Sequence, residues 1–315
     1  MSNFRRRLMM SIKKEEKYTE LEYIEGTGTQ HINTEVKTKQ SLKIECIFSG
    51  NQLSTLLFGA RKTARLDGLA WGFNNTNYAF SGFGGSIQKN NTTVNTIDGK
   101  KHTVVLSNEV YTIDDVNQSL PNRGTFSNFY DIYLFTWNTA NVADTRKFEG
   151  KVYNFKIYDN NVLIRDMIPV LDKNGTPCMY DTISRKTFYN QGTGEFLYKE
   201  KSLFNTANLQ IGYAISASGV VSANQNFNCT EFIPVNQSKY IFSGISGKTS
   251  NWNLRIHAYD ENKNWIKQIL LQPISVGKTL DVNFEINDET IKYIRASIAN
   301  ENFTDYSLIT LKEIS

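Results

Sequence analysis

Residues 41–48 read SLKIECIF. Leu42, Ile44, Cys46 and Phe48 fall on one side of an extended chain and Lys43 and Glu45 on the other, the two-residue period of a strand that buries one face. Short apolar runs of the same kind recur to either side: TLLFGA at 55–60, LAWGF at 69–73, YAFSGF at 78–83, KHTVVLS at 101–107, EVYTI at 109–113, YDIYLFT at 130–136 and GKVYNFKIYD at 150–159. Clusters of Gly, Asn, Asp and Thr separate them, and no stretch from Tyr18 to Tyr198 keeps a helical period. Asp98-Gly99 and Asn174-Gly175 are tight-turn signals, because these residues accept positive φ at little cost. Ten or more short strands so spaced predict a two-sheet antiparallel sandwich.

The charged step Lys199-Glu200-Lys201-Ser202 interrupts this pattern, and a second run follows: KYIFSG, NLRIHAYD, WIKQILL, TLDVNFEI, KYIRASI and SLITLKEI. In KYIRASI the alternation turns Ile294, Ala296 and Ile298 inward and Tyr293, Arg295 and Ser297 outward. A chain of 315 residues is long enough for two cores. The expected architecture is all-β: a basic tail at 1–17, a β-sandwich at 18–199 and a smaller jelly-roll β-sandwich at 202–315. One internal echo, FKIYDNNVLIRD at 155–166 against RIHAYDENKNWIK at 255–267, is read as two hairpins with ordinary Asp/Asn turns rather than as a repeat.

Composition excludes several function classes. With 40% hydrophobic and 21% charged residues the chain can bury cores, its mean hydropathy is −0.42, and no apolar run reaches the roughly 18 residues of a spanning helix. The net charge of +4 arises from 35 basic and 31 acidic residues, and much of the excess lies in the first fourteen positions. A nucleic-acid binder would need a basic stripe within its fold, and none is found. Cys46, Cys178 and Cys229 are far apart and odd in number, so they read as buried thiols. His31, His102 and His257 lack metal-ligand spacing and read as satisfied surface or edge histidines, with His257 expected to be exposed. No G-x-S-x-G, GxxxxGK[ST] or H-E-x-x-H motif occurs. No D-x-D-x-D-G run occurs either, so neither a metal nor a cofactor is expected.

The tail, MSNFRRRLMMSIKKEEK, has an apolar step of only Leu8, Met9 and Met10, too short for a secretory h-region of about 7–15 residues. Phe4, Leu8, Met9 and Ile12 lie at helical spacing. Phe4, Arg5, Arg6, Arg7 and Leu8 are therefore the candidate contacts of a peptide that docks on a larger assembly.

LEYIEGTGTQHINTEV at 21–36 and GKVYNFKIYDNNVLIRDMIPVLDKNGTPCMYDTISRKTFYNQGTGEF at 150–196 carry a resemblance. Together they resemble the concanavalin-like, laminin-G-type sandwich of phage tail and virion proteins and of gut-bacterial surface proteins. His31 stands where that pattern has Tyr, and Cys178 where it often has Gly. The segment from SLFNTANLQIGYAISASG to KYIRASI is similar to jelly-roll modules that follow such domains in phage tail fibres, modules usually described as carbohydrate-binding. The resemblance implies a virion appendage that contacts other virion proteins and host-surface glycans, assembled as a homo-oligomer and located on the phage particle. The runner-up readings are a purely structural virion decoration or connector protein and a bacterial surface adhesin.

Related glucanases carry their carboxylates on one strand as E-x-D-x-x-E, and no Glu here begins that pattern, so no enzyme is expected. Sugar recognition on a sandwich needs flat aromatic faces beside amide, carboxylate or guanidinium groups. In the first domain Trp71, Tyr78 and Phe83 with Asn74, Asn75 and Asn77 meet that description. In the second, Trp252 and Arg255, and Trp265 with Asn262 and Asn264, do so. The alternative for the tryptophans is a place in a core or interface, above all for Trp71 and Trp137.

Overall fold

A computed structural model describes residues 18–63, 68–75, 78–119, 124–126, 130–205, 208–246, 252–275, 279–299 and 309–314. The docking candidates Phe4, Arg5, Arg6, Arg7 and Leu8 lie outside these residues. The chain divides between Glu200 and Lys201 into two compact units. Both are all-β, and no α-helix occurs among the described residues.

In the first unit SLKIECIF lies within the strand Leu42–Gly50, and its four alternate apolar residues are all buried while Lys43 and Glu45 are half-buried. That strand pairs antiparallel with His102–Ser107 on one side and with Glu149–Asp159 on the other. The latter continues the ten-stranded sheet through Thr19–Thr27, Val162–Leu171 and Pro177–Asp181. An eight-stranded second sheet is built on Leu56–Arg61, Gly68–Asn75 and Tyr78–Gly85. Between the two sheets lie Ile44, Phe48, Trp71, Phe73, Phe148 and Phe155. Phe73 stacks on Phe148 at 5.1 Å and Phe48 meets Trp71 at 5.0 Å, separations at which ring quadrupoles add to area burial. Asp98-Gly99 and Asn174-Gly175 do form turns, with Gly99 at φ 73° and Gly175 at φ 80°.

The second sheet departs from a half-buried sandwich layer because its outer face is also covered. Leu56, Ala70, Ile87 and Trp137 form a separate apolar cluster there, with Phe80 packed against it. Arg61 lies 5.0 Å above the Trp137 ring and donates from Nη2 to Asp144 at 2.6 Å, an ion pair largely shut away from water. Leu56–Arg61 is consequently buried at all six positions. Sheets covered on both faces lose the polar alternation that marks a wet side.

One further reading is corrected. None of the histidines is a surface residue: His31, His102 and His257 are 8%, 6% and 0% exposed. His102 is enclosed because its two ring nitrogens bridge Asp114 at 2.7 Å and Asp98 at 2.9 Å. The three thiols are free and buried. The echoed segments are both hairpins, but they turn differently, the first through Asn160 and Asn161 at positive φ and the second through Lys263.

In the second unit Leu209–Ile215, Val221–Thr230, Tyr293–Ala299, Trp252–Tyr259 and Trp265–Ile274 follow one another in a sheet, with Ile233–Pro234 added on Tyr293–Ala299. Thr279–Ile286, Ser238–Ser246 and Thr310–Ile314 make a second sheet. Ile294, Ala296 and Ile298 enter the core with Leu254, Ile256 and Ala258, as the alternation of KYIRASI requires. Arg295 and Ser297 face away from that core, yet they are only 4% and 1% exposed. Something covers the outer face of this sheet as well, and that cover defines the site.

Candidate functional site

Strand register places the outer-face side chains of the second unit in three rows. Gln210, Cys229, Ser297, Arg255 and Leu271 are successive cross-strand partners in the first. Arg295, His257 and Gln268 form the second, and Tyr293, Tyr259 and Trp265 the third. The first hairpin bends over this surface. Its register shifts between the pairs Ile211–Asn228 and Tyr213–Ala223, at Gly212 (φ 77°), whose N–H donates to Asn228 Oδ1 at 3.0 Å. The tip is then anchored by Ile215 N donating to Ser297 Oγ at 3.2 Å, and Arg255 Nη1 reaches Ile215 O at 3.5 Å.

The turn Ser216–Gly219 closes with Gly219 N donating to Ser216 O at 3.0 Å. Gly219 has φ 80°, and a Cβ there would lie 2.2 Å from Trp265 Cδ1 and Cγ. Only a glycine lets the turn rest on the indole this closely. Trp265 thus has one side against the turn, remains 40% exposed, and donates from Nε1 to His257 Nδ1 at 3.3 Å. Because Nδ1 accepts this bond, the neutral imidazole carries its hydrogen on Nε2.

Beneath the rim the polar groups are only partly matched. Arg295 donates from Nε to Thr230 O at 2.7 Å and from Nη2 to Gln210 Oε1 at 2.6 Å and Cys229 Sγ at 3.3 Å. Its guanidinium lies 4.9 Å from the Phe232 ring, which also packs edge-on against Tyr259. All of these acceptors are uncharged, and no carboxylate pairs with Arg295 or Arg255 among the described residues. Among the described residues, three buried atoms here have no hydrogen-bond partner: His257 Nε2, Tyr259 OH and Gln268 Oε1. Burial, with the Arg255 and Arg295 charges adding to it, holds His257 down at about 4, and burial raises both the Tyr259 phenol and the Cys229 thiol.

Of the sequence-derived candidates, Trp265 and Arg255 come together on this face. Trp252 and Asn75 lie in strands, but their side chains are outside the described residues. Asn262 and Asn264 are spent on the turn, where their backbone N–H groups donate to Asp260. In the first unit the reading of Trp71 and Phe83 as sugar-stacking residues is corrected: both are 0% exposed, and Trp71 donates its indole N–H to Tyr111 OH at 2.9 Å. They alternate inward between two covered sheets, so neither presents a face to a ligand. Tyr78 is 39% exposed at a strand end and is the one described aromatic of that group left at the surface. His257, Tyr259, Gln268 and Arg295 were not singled out from the sequence as ligand contacts.

The first unit also has an open cleft of about 380 Å³ with Glu25, Glu149 and Lys151 among its lining residues. Glu25 and Lys151 are direct cross-strand partners, an arrangement that neutralises rather than pairs two carboxylates. No group of three or more His, Cys, Asp or Glu side chains able to hold a metal occurs among the described residues.

The fold and this face describe an all-β chain of two sandwich units with a rimmed polar surface on the second. No protein-family model and no curated protein matches it. Among solved structures, domains LG4-5 of the mouse laminin alpha1 chain are similar at 10% identity and a TM-score of 0.38, covering 100% of this chain and 83% of that one. A point mutant of the NanB sialidase from Streptococcus pneumoniae is similar at 10% identity and a TM-score of 0.32, covering 94% of this chain and 66% of that one. No residue role passes from either to this chain.

Proposed function

We propose that the chain is a non-catalytic, glycan-binding structural protein of a phage-type virion appendage, in which the second unit makes the sugar contact. The observation that carries this reading is Trp265: an indole seated on a glycine turn, half open to solvent, with the scarcely engaged Arg255 guanidinium on the same sheet face. An aromatic plane stacks on sugar C–H groups while guanidinium and imidazole N–H groups reach hydroxyls. A single such face binds weakly, and repetition on a homo-oligomeric particle supplies avidity.

The first unit supports a scaffold role, since Trp71 and Phe83 are committed to its core. In this reading the basic tail docks on other virion proteins, and the site of action is the exposed particle surface. The experiment is a glycan array probed with the full chain multimerised on beads. Binding to a restricted set of glycans, lost in Trp265→Ala, is expected; no binding to any glycan would leave the purely structural reading in its place. Particle incorporation of a variant lacking residues 2–14 tests the docking role, and unchanged incorporation would refute it.

A further inference from the structure

Burying a polar atom without a partner, or a charge without a counter-charge, is costly, and such groups mark places where something else completes the site. The outer face of the second unit concentrates both. His257 Nε2 and Tyr259 OH belong to side chains that are 0% and 4% exposed, sit two residues apart on one strand, and have no partner among the described residues. Gln268, the direct cross-strand partner of His257 on one side, adds an unmatched acceptor, Oε1. Arg295, its partner on the other side, is 4% exposed and, among the described residues, bonded only to neutral acceptors. Among the described residues, Arg255 makes one hydrogen bond, of 3.5 Å, to Ile215 O. Glu231 accepts from Gln210 Nε2 at 2.7 Å instead of pairing with either arginine, and Asp260, next to Tyr259 in the chain, is spent on its own turn, accepting from Asn262 N and Asn264 N.

The inventory is therefore donors and positive charge with one acceptor: an imidazole N–H, a phenol O–H, two guanidinium groups and an amide oxygen. A neutral sugar would leave both guanidinium charges uncompensated. A planar carboxylate accepts from a guanidinium fork and from the His and Tyr donors, and a ring hydroxyl of the same sugar donates to Gln268 Oε1. The geometry points to a subsite for a carboxylate-bearing sugar, a uronic acid residue of a glycan, formed by Arg255, His257, Tyr259, Gln268 and Arg295 beneath Trp265. This deepens the glycan-binding reading above and rests on it.

The test uses the full chain, multimerised, against galacturonate, glucuronate and mannuronate oligosaccharides. Each is paired with its carboxyl-reduced neutral counterpart, and a sulfated neutral oligosaccharide serves as a further probe. The expected result is binding about tenfold tighter to the acid member of at least one pair, the effect of one charge-assisted contact. Arg255→Gln, checked for native fold by circular dichroism, brings that pair to parity. Neutral glycans bound as tightly as acids in every pair, or a preference for sulfate over carboxylate, overturns the subsite while leaving glycan binding intact. Binding to none of these probes, together with a blank glycan array, removes both.

Discussion

His257 makes the stability of the second unit depend on pH in a direction the structure fixes. In an unfolded chain its imidazole titrates near 6.5; in the fold, burial and then the charges of Arg255 and Arg295 lower it to about 4. Above pH 6.5 both states are neutral and stability is at its full value. As pH falls from 6.5 toward 4 the unfolded chain takes up a proton that the folded one refuses, so stability is lost at up to ~1.4 kcal/mol per pH unit. The whole window is worth roughly 3 kcal/mol, and below pH 4 this contribution is flat.

The perturbation is His257→Asn, which keeps an acceptor for the Trp265 indole and removes the titration. Urea unfolding of both proteins at intervals from pH 7.5 to 4.5 subtracts the carboxylates they share. The wild-type curve should lose about 2–3 kcal/mol more than the variant curve over that range. Parallel curves, or an NMR titration of the His257 ring centred near pH 6.5, would refute the reasoning.

Four further outcomes follow from the packing. Gly219→Ala forces a Cβ into the Trp265 ring at positive φ; it should destabilise the second unit by about 1–2 kcal/mol in urea unfolding and shift the tryptophan emission as the indole leaves the turn. Asp144→Asn leaves the enclosed Arg61 guanidinium without its carboxylate and should cost the first unit about 3 kcal/mol by the same measurement. Tyr111→Phe removes the acceptor of the buried Trp71 indole N–H and should cost about 1–2 kcal/mol, whereas Tyr78→Phe, at an exposed strand end, should change stability by less than about 0.5 kcal/mol.

What could be read from the sequence was set by local periodicity. SLKIECIF and KYIRASI each turn their apolar residues toward a core as their alternation requires, and the Asp-Gly and Asn-Gly steps turn where they stand. Alternation names the two faces of a strand but does not say whether the second face is covered. LAWGF and YAFSGF interleave aromatics with glycines, a pattern equally suited to a binding loop and to a strand sealed on both sides. Trp137, Ile87 and the Arg61–Asp144 pair, distant in sequence, decide between the two. The same ignorance of long-range cover made His257 look exposed, since the hairpin tip that is anchored on Ser297 and rests on Trp265, to either side of it on the same face, lies some forty residues earlier in the chain. That Trp265 keeps part of its surface open was legible because polar turn residues flank it. Tyr259, Gln268 and Arg295 were not, because each looks locally like an ordinary strand residue.

The turn at Ser216–Gly219 touches Trp265 but contributes nothing to the aliphatic core below. Ala217 and Ser218 stand exposed there, answerable only to the hairpin's own geometry and to whatever lies above them. Unlike Gly219, whose missing side chain the indole requires, Ala217 and Ser218 are free to vary at little cost in folding. On the proposed glycan-binding reading, substitutions at Ala217 and Ser218 alter the rim beside Trp265 and leave the rest of the chain unchanged.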